Sequence, residues 1–132
     1  MRAQCQCGQL SAEVRVATDQ IVACHCQACQ RRTGAPFGLI AYYATADVTI
    51  AGQSVAYTRT ADSGRTFTGH FCATCGTTLW FDADLKPDVI GIAVGAFADP
   101  THPAPARSVW EDTMHEWVAI PGPIPHFPKG RS

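Results

Sequence analysis

From Leu10 to Val16 the chain alternates apolar and polar residues without a break, as Leu10-Ser11-Ala12-Glu13-Val14-Arg15-Val16. Side chains on an extended backbone point to opposite faces in turn, so this pattern predicts a half-buried β-strand. Further strand-like runs are Gln20–Cys24, Phe37–Tyr43, Val48–Ile50, Val55–Thr60, Thr66–Phe71, Thr78–Phe81 and Val89–Val94. They are short, and turn-forming clusters such as Ala51-Gly52-Gln53, Asp62-Ser63-Gly64 and Lys86-Pro87-Asp88 separate them. No window of ten residues carries a helical period, and only Ala28–Thr33 has room for a turn of helix. The expected fold is mainly β.

The pattern changes at about Asp99. Pro100, Pro103, Pro105, Pro121, Pro123, Pro125 and Pro128 interrupt any regular element in the tail that follows. Trp110 and Trp117 are expected to anchor this tail on the sheet by core packing, and Lys129 to Ser132 to fray.

At 132 residues the chain has the length of one domain, read as residues 1–132 with a proline-rich tail. Hydrophobic residues at 46% and charged residues at 16% exclude a disordered chain. A net charge of −1 offers no basis for binding nucleic acid or an anionic membrane. The N-terminus carries no apolar run, so no signal peptide is expected, and a cytoplasmic location with reduced thiols follows. Seven cysteines, an odd number, argue against a closed disulfide framework and for metal binding.

The cysteines divide four and three. Cys5-Gln6-Cys7 supplies two thiols two residues apart, which share one face if the backbone is extended. Cys72-Ala73-Thr74-Cys75 followed by Gly76 is a common zinc half-site, the glycine allowing positive φ where the turn ends. Joined, the two halves make a structural Zn(Cys)4 site; an iron–sulfur cluster uses the same ligands and is the competing reading. Cys24-His25-Cys26-Gln27-Ala28-Cys29 supplies three convergent thiols. His25, between two ligands, should point away from them. Either one of His70, His102, His115 and His126 closes this second site as a structural one, or its fourth position stays open to a ligand. Arg31 and Arg32 follow at once, suited to offsetting the charge of three thiolates or to holding a substrate carboxylate, and equally to a solvated surface. Seven thiolates subtract seven charges and two zinc ions add four, which takes the formal net charge from −1 to −4. Zinc held by three thiolates is a poor generator of hydroxide but readily takes an incoming thiol as thiolate, a nucleophile for a small aldehyde.

Three segments, Cys5-Gln6-Cys7-Gly8, Cys24 to Phe37 and Phe71 to Thr77, resemble the glutathione-dependent formaldehyde-activating enzyme family, whose domain is shared with centromere protein V. The resemblance runs from Cys5 to about Trp117. It implies an Mss4-like, or β-tent, fold of short antiparallel strands, with a structural zinc at Cys5, Cys7, Cys72 and Cys75. It also implies a second zinc at Cys24, Cys26 and Cys29, where glutathione or another thiol binds. The implied activity is that of a carbon–sulfur lyase acting on a thiol adduct of a small aldehyde such as formaldehyde, with glutathione as co-substrate. A non-catalytic zinc module that binds glutathione or a protein partner is the alternative.

Overall fold

The apolar runs become strands at nearly the positions where they were read. The computed structural model describes residues 1–61, 64–84 and 86–130. Among these are ten strands, one α-helix and three short 3-10 turns. The backbone gathers into two compact units, one of residues 1–18 and 42–102, the other of residues 19–41 and 103–132.

In the first unit, β1 (Arg2–Gln4), β2 (Ser11–Val14) and β5 (Val48–Ala51) form an antiparallel sheet. Ala12 of β2 lies between Ala3 of β1 and Ile50 of β5. Ala3, Leu10, Ala12 and Val14 are buried, so the alternation places its apolar set inward as far as Val14, where the strand ends; Val16, the last apolar position of the expected run, is exposed, and Ser11 is buried. β6 (Ser54–Thr60), β7 (Thr66–Cys72), β8 (Thr78–Ala83) and β9 (Val89–Ala93) follow as an antiparallel meander. Leu79 and Phe81 of β8 and Ile90 and Ile92 of β9 are buried. Burying a side chain of that size stabilises by about 1.5–3 kcal/mol. The register of β7 on β8 shifts between His70 and Phe71, a bulge just before Cys72.

In the second unit, β3 (Ile21–Cys24) runs antiparallel to the start of β4 (Gly38–Ala44), with Cys24 opposite Gly38. On its other side β3 is flanked by β10 (Arg107–Val109), parallel to it, with Val109 opposite Cys24. Ile21, Val22 and Ala23 are all buried, as a strand paired on both edges within a core requires. Helix α1 spans Gln27–Thr33 and ends at Gly34, whose left-handed backbone (φ 68°, ψ 18°) donates its N–H to Gln30 O at 2.8 Å.

Several expectations for the tail are overturned. Despite its prolines it contributes β10, whose partner lies more than eighty residues away, a pairing that local periodicity does not reveal. Trp117 is 75% exposed and anchors nothing, while Trp110 is only half-buried. Lys129 is held, its carbonyl accepting from Trp110 N–H at 2.9 Å and its Nζ donating to Asp112 at 3.0 Å. Arg131 and Ser132, like Asp62 and Ser63 of the expected Asp62-Ser63-Gly64 turn, lie outside the described residues. No helix among the described residues is long and apolar enough to cross a membrane.

The turn between β5 and β6 depends on one glycine. Gly52 has φ +105°, and a Cβ there would stand 2.0 Å from the carbonyl oxygen of Gln9. Backbone cannot yield as a side chain can, so Gly52→Ala should cost about 2–4 kcal/mol through steric strain and an unfavourable φ. Gly95 has normal φ and open space around it, and Gly95→Ala should stay within about 0.5 kcal/mol. Urea unfolding of both variants checks this; equal stability would mean that the Gln9–Gly52 approach is not rigid.

Candidate metal centre

In the first unit, Cys5, Cys7, Cys72 and Cys75 bring their sulfurs within 4.8 Å of one another. Cys5 and Cys7 are not on an extended strand as expected. They occupy a turn after β1, in which Gly8 (φ +84°) donates its N–H to Cys5 O at 3.1 Å. The turn after β7 is built likewise, Gly76 (φ +81°) donating to Cys72 O at 3.0 Å. Two glycine-ended turns therefore face each other, each aiming two thiols inward.

Cys5 Sγ to Cys7 Sγ and Cys7 Sγ to Cys72 Sγ both measure 3.6 Å. Metal–sulfur bonds of 2.3 Å in a tetrahedron put the sulfurs about 3.8 Å apart, so the donor set fits such an ion. All seven cysteines are free thiols. Amide groups are turned on the sulfurs: Leu10 N on Cys5 (3.3 Å), Thr74 N and Cys75 N on Cys72 (3.3 and 3.4 Å), and the Gln9 side chain Nε2 on Cys72 (2.9 Å). Donors of this kind favour the thiolate. Thr77 Oγ1, 3.3 Å from Cys75 Sγ, is the first cause that draws the Cys75 thiol down to about 5. Burial resists ionisation of Cys72, but the Gln9 amide and the Cys75 and Thr74 N–H groups prevail and bring it to about 7.

In the second unit, Cys24, Cys26 and Cys29 form the other group, again within 4.8 Å. Cys24 ends β3, and Cys26 caps α1 with extended backbone (φ −65°, ψ 153°), its sulfur accepting from Cys29 N at 3.4 Å. The extended step from 24 to 26 sends His25 the opposite way, as expected. His25 is fully buried, with Nε2 2.8 Å from Ser108 Oγ and its ring 5.3 Å from that of Phe37. Burial lowers its pKa from the usual imidazole value, against the opposing charges of Glu111 and Cys26. Hydrogen bonding to Cys26 and Cys29, then burial, raises the Cys24 thiol far above its ordinary value; the Cys26 main-chain N–H works in the opposite direction. Bringing a cation to three such thiols reverses that penalty.

Among the described residues no histidine joins either group. His126 pairs instead with Glu111, Nδ1 to Oε2 at 2.6 Å, and His115 lies edge-on to Trp117. His70 stacks on Trp80 with centroids 3.5 Å apart, and His102 stacks on Phe97. The three-sulfur group thus has no fourth protein ligand within reach among the described residues.

Arg31 and Arg32 are placed differently. Arg31 is exposed. Arg32 is half-buried. Hydrogen bonding with Cys24 draws the Cys29 thiol down and the Arg32 charge adds to this, but hydrogen bonding with Cys26, burial and the charge of Cys26 outweigh them and raise it. Its guanidinium lies against Gly38, where a Cβ would come within 2.6 Å of Arg32 Nη2 and 3.5 Å of Cys29 Cβ. Glycine at 38 leaves the room that the guanidinium occupies.

Sequence reasoning passed over the residues around the sulfurs. Gln9 is held by Gln53, whose O accepts at 2.6 Å and whose N donates at 2.9 Å, and Thr77 also receives the Gln6 N–H at 3.1 Å. In the second unit Gln30, Ser108 and Thr113 surround His25. Gln9 and Thr77, each directly after a Cys-Gly pair, and Gln30, next to Cys29, stand close to the cysteines in sequence, whereas Gln53, Ser108 and Thr113 do not.

The fold is shared with the crystal structure of a Rhodobacter sphaeroides protein, at a TM-score of 0.59 and 21% identity over 96% of this chain and 99% of that one. Among curated proteins no significant match is found. The family model for the glutathione-dependent formaldehyde-activating enzyme matches residues 1–113, which contain all seven cysteines, and the chain therefore belongs to that family.

Proposed function

We propose that the protein is a two-zinc enzyme of the carbon–sulfur lyase type, acting on a thiol adduct of a small aldehyde such as formaldehyde, with glutathione as the thiol. The observation that carries this reading is the second sulfur group: three convergent thiols with no fourth protein ligand among the described residues. Family membership supports glutathione and formaldehyde as the substrate class. The alternative is a zinc module that binds the thiol without turning it over.

Cys5, Cys7, Cys72 and Cys75 would hold a structural zinc, and Cys24, Cys26 and Cys29 the second one. Zinc with three thiolate ligands supplies a position at which a further thiol is bound in its deprotonated form. The chain's own part is to aim the three sulfurs, to keep His25 out of the site and to offset negative charge with Arg32. Exposed Arg31 is the better placed of the two arginines to meet a tripeptide carboxylate from solvent, whereas Arg32 serves the sulfurs. In the addition, a carbon–sulfur bond forms between the thiolate and the aldehyde carbon. The carbonyl π pair moves to oxygen, which takes up the equivalent of the proton the thiol gave up. The reverse step releases aldehyde and thiol.

Native mass spectrometry should find two zinc ions per chain; one ion, or iron with visible absorption, would overturn the partition. Cys75→Ser should destabilise the first unit by about 4 kcal/mol or more, because metal binding there is coupled to folding. Cys29→Ser should stay folded while losing the second metal. Circular dichroism melts decide between them, and the assignment is reversed if Cys29→Ser is the more damaging.

Turnover separates enzyme from binder. Magnetisation-transfer measurements should show the exchange of formaldehyde with glutathione accelerated by the protein and slowed again in Cys26→Ser. In the cobalt-substituted protein, glutathione should shift the visible spectrum, and S-methylglutathione, a neutral thioether, far less. Exchange at the spontaneous rate together with a glutathione-induced shift would favour the binding module. A spectrum indifferent to every thiol would remove the chemical basis of the enzyme.

A further inference from the structure

The peptide between the first two cysteines of the second group is hydrogen-bonded from three directions. His25 N–H donates to Val109 O at 3.0 Å. His25 O accepts twice, from Gln30 Nε2 at 2.8 Å and from Thr113 Oγ1 at 2.8 Å. Gln30 Nε2 also donates to Thr113 O at 3.0 Å, which closes a triangle over the carbonyl. The carbonyl of His25 and the N–H of Cys26 belong to one amide, which joins two of the three cysteines of the group. Donors on the oxygen of an amide polarise it and strengthen what its N–H can donate, as hydrogen bonds in series do in a low-dielectric site.

We propose that Thr113 and Gln30 are positioning residues for the second metal group, acting by holding the carbonyl of the His25–Cys26 amide and so fixing the peptide that links Cys24 to Cys26. This rests on the assignment of Cys24, Cys26 and Cys29 as metal ligands. Thr113 does not belong to the buried core; it is exposed, and its hydroxyl lies 2.8 Å from His25 O, its nearer acceptor, and 3.3 Å from Trp110 O. Outer partners of this kind govern how tightly a ligand set holds its metal and how much charge a ligand gives it. The role also accounts for a threonine beyond β10 whose function is carried out 88 residues away.

The test is Thr113→Val, which keeps the shape and removes the donor, compared with Thr113→Ser, which keeps the donor, and with Gln30→Leu. In the metal-loaded protein the Cys26 amide proton should resonate upfield in Thr113→Val relative to the parent and return in Thr113→Ser. The second metal should be lost to a chelator about tenfold faster or more in Thr113→Val, and near the parent rate in Thr113→Ser. The sulfur-to-cobalt charge-transfer band of the second group should move, while the Cys5/Cys7/Cys72/Cys75 group in the same molecule keeps its band as an internal control. A general loss of stability would disturb both groups, so parallel changes in the two would overturn the proposal. An unmoved Cys26 amide proton and an unchanged loss rate in both Thr113→Val and Gln30→Leu would overturn it as well, while leaving the two-zinc reading intact. A parent protein that binds no second metal would instead bring down that reading and this proposal together.

Discussion

Everything in this chain depends on holding several sulfur atoms in contact without joining them. Thiols at 3.6 Å are too far apart for a disulfide and too close to ionise together without compensation. Each group therefore needs backbone that aims the sulfurs and polar hydrogens that favour negative charge. The first group joins the turn after β1 to the turn after β7, sixty-five residues apart, and so ties the start of the first unit to its middle. Whatever the metal contributes on binding becomes stability of that unit.

The two groups meet the constraint with different means. Around the first, the compensation comes from the local turn and from Gln9 and Thr77, fixed in turn by Gln53 and Gln6. It encloses four ligands and needs nothing more. Around the second, α1 begins directly on Cys26, Arg32 lies beside Cys29, and the amide between Cys24 and Cys26 is braced by groups from the tail. Under the proposed function, this bracing is what would keep three ligands in place without a fourth from the protein, leaving a position for an exchanging ligand.

Two glycines show how much of this is steric. Gly52 allows the β5–β6 turn to approach Gln9 O, which brings Gln53 to the Gln9 side chain and so holds that side chain on Cys72. Gly38 leaves the space beside Cys29 that the Arg32 guanidinium fills. Neither touches a sulfur, yet each decides whether a compensating group can reach one.

Strand positions and the four-and-three division of cysteines were legible in the sequence because both are local. Alternation within a strand sets which face is buried, and ligands two or three residues apart converge through a single turn. The extended step that turns His25 away from Cys24 and Cys26 was readable for the same reason, although Cys5 and Cys7 converge through a turn rather than a strand. Other features had to wait for the tertiary structure. The brace from Thr113 spans 88 residues and the Gln9 contact 63, and both depend on strand register that no short window encodes. The parallel pairing of β10, the exposure of Trp117 and the engagement of the histidines elsewhere are likewise outcomes of packing. Sequence by itself determined which residues could bind metal, since that follows from donor chemistry and spacing. Tertiary structure alone decided what surrounds them, since hydrogen bonds to a sulfur or to its neighbouring amide form only when distant segments are already in place.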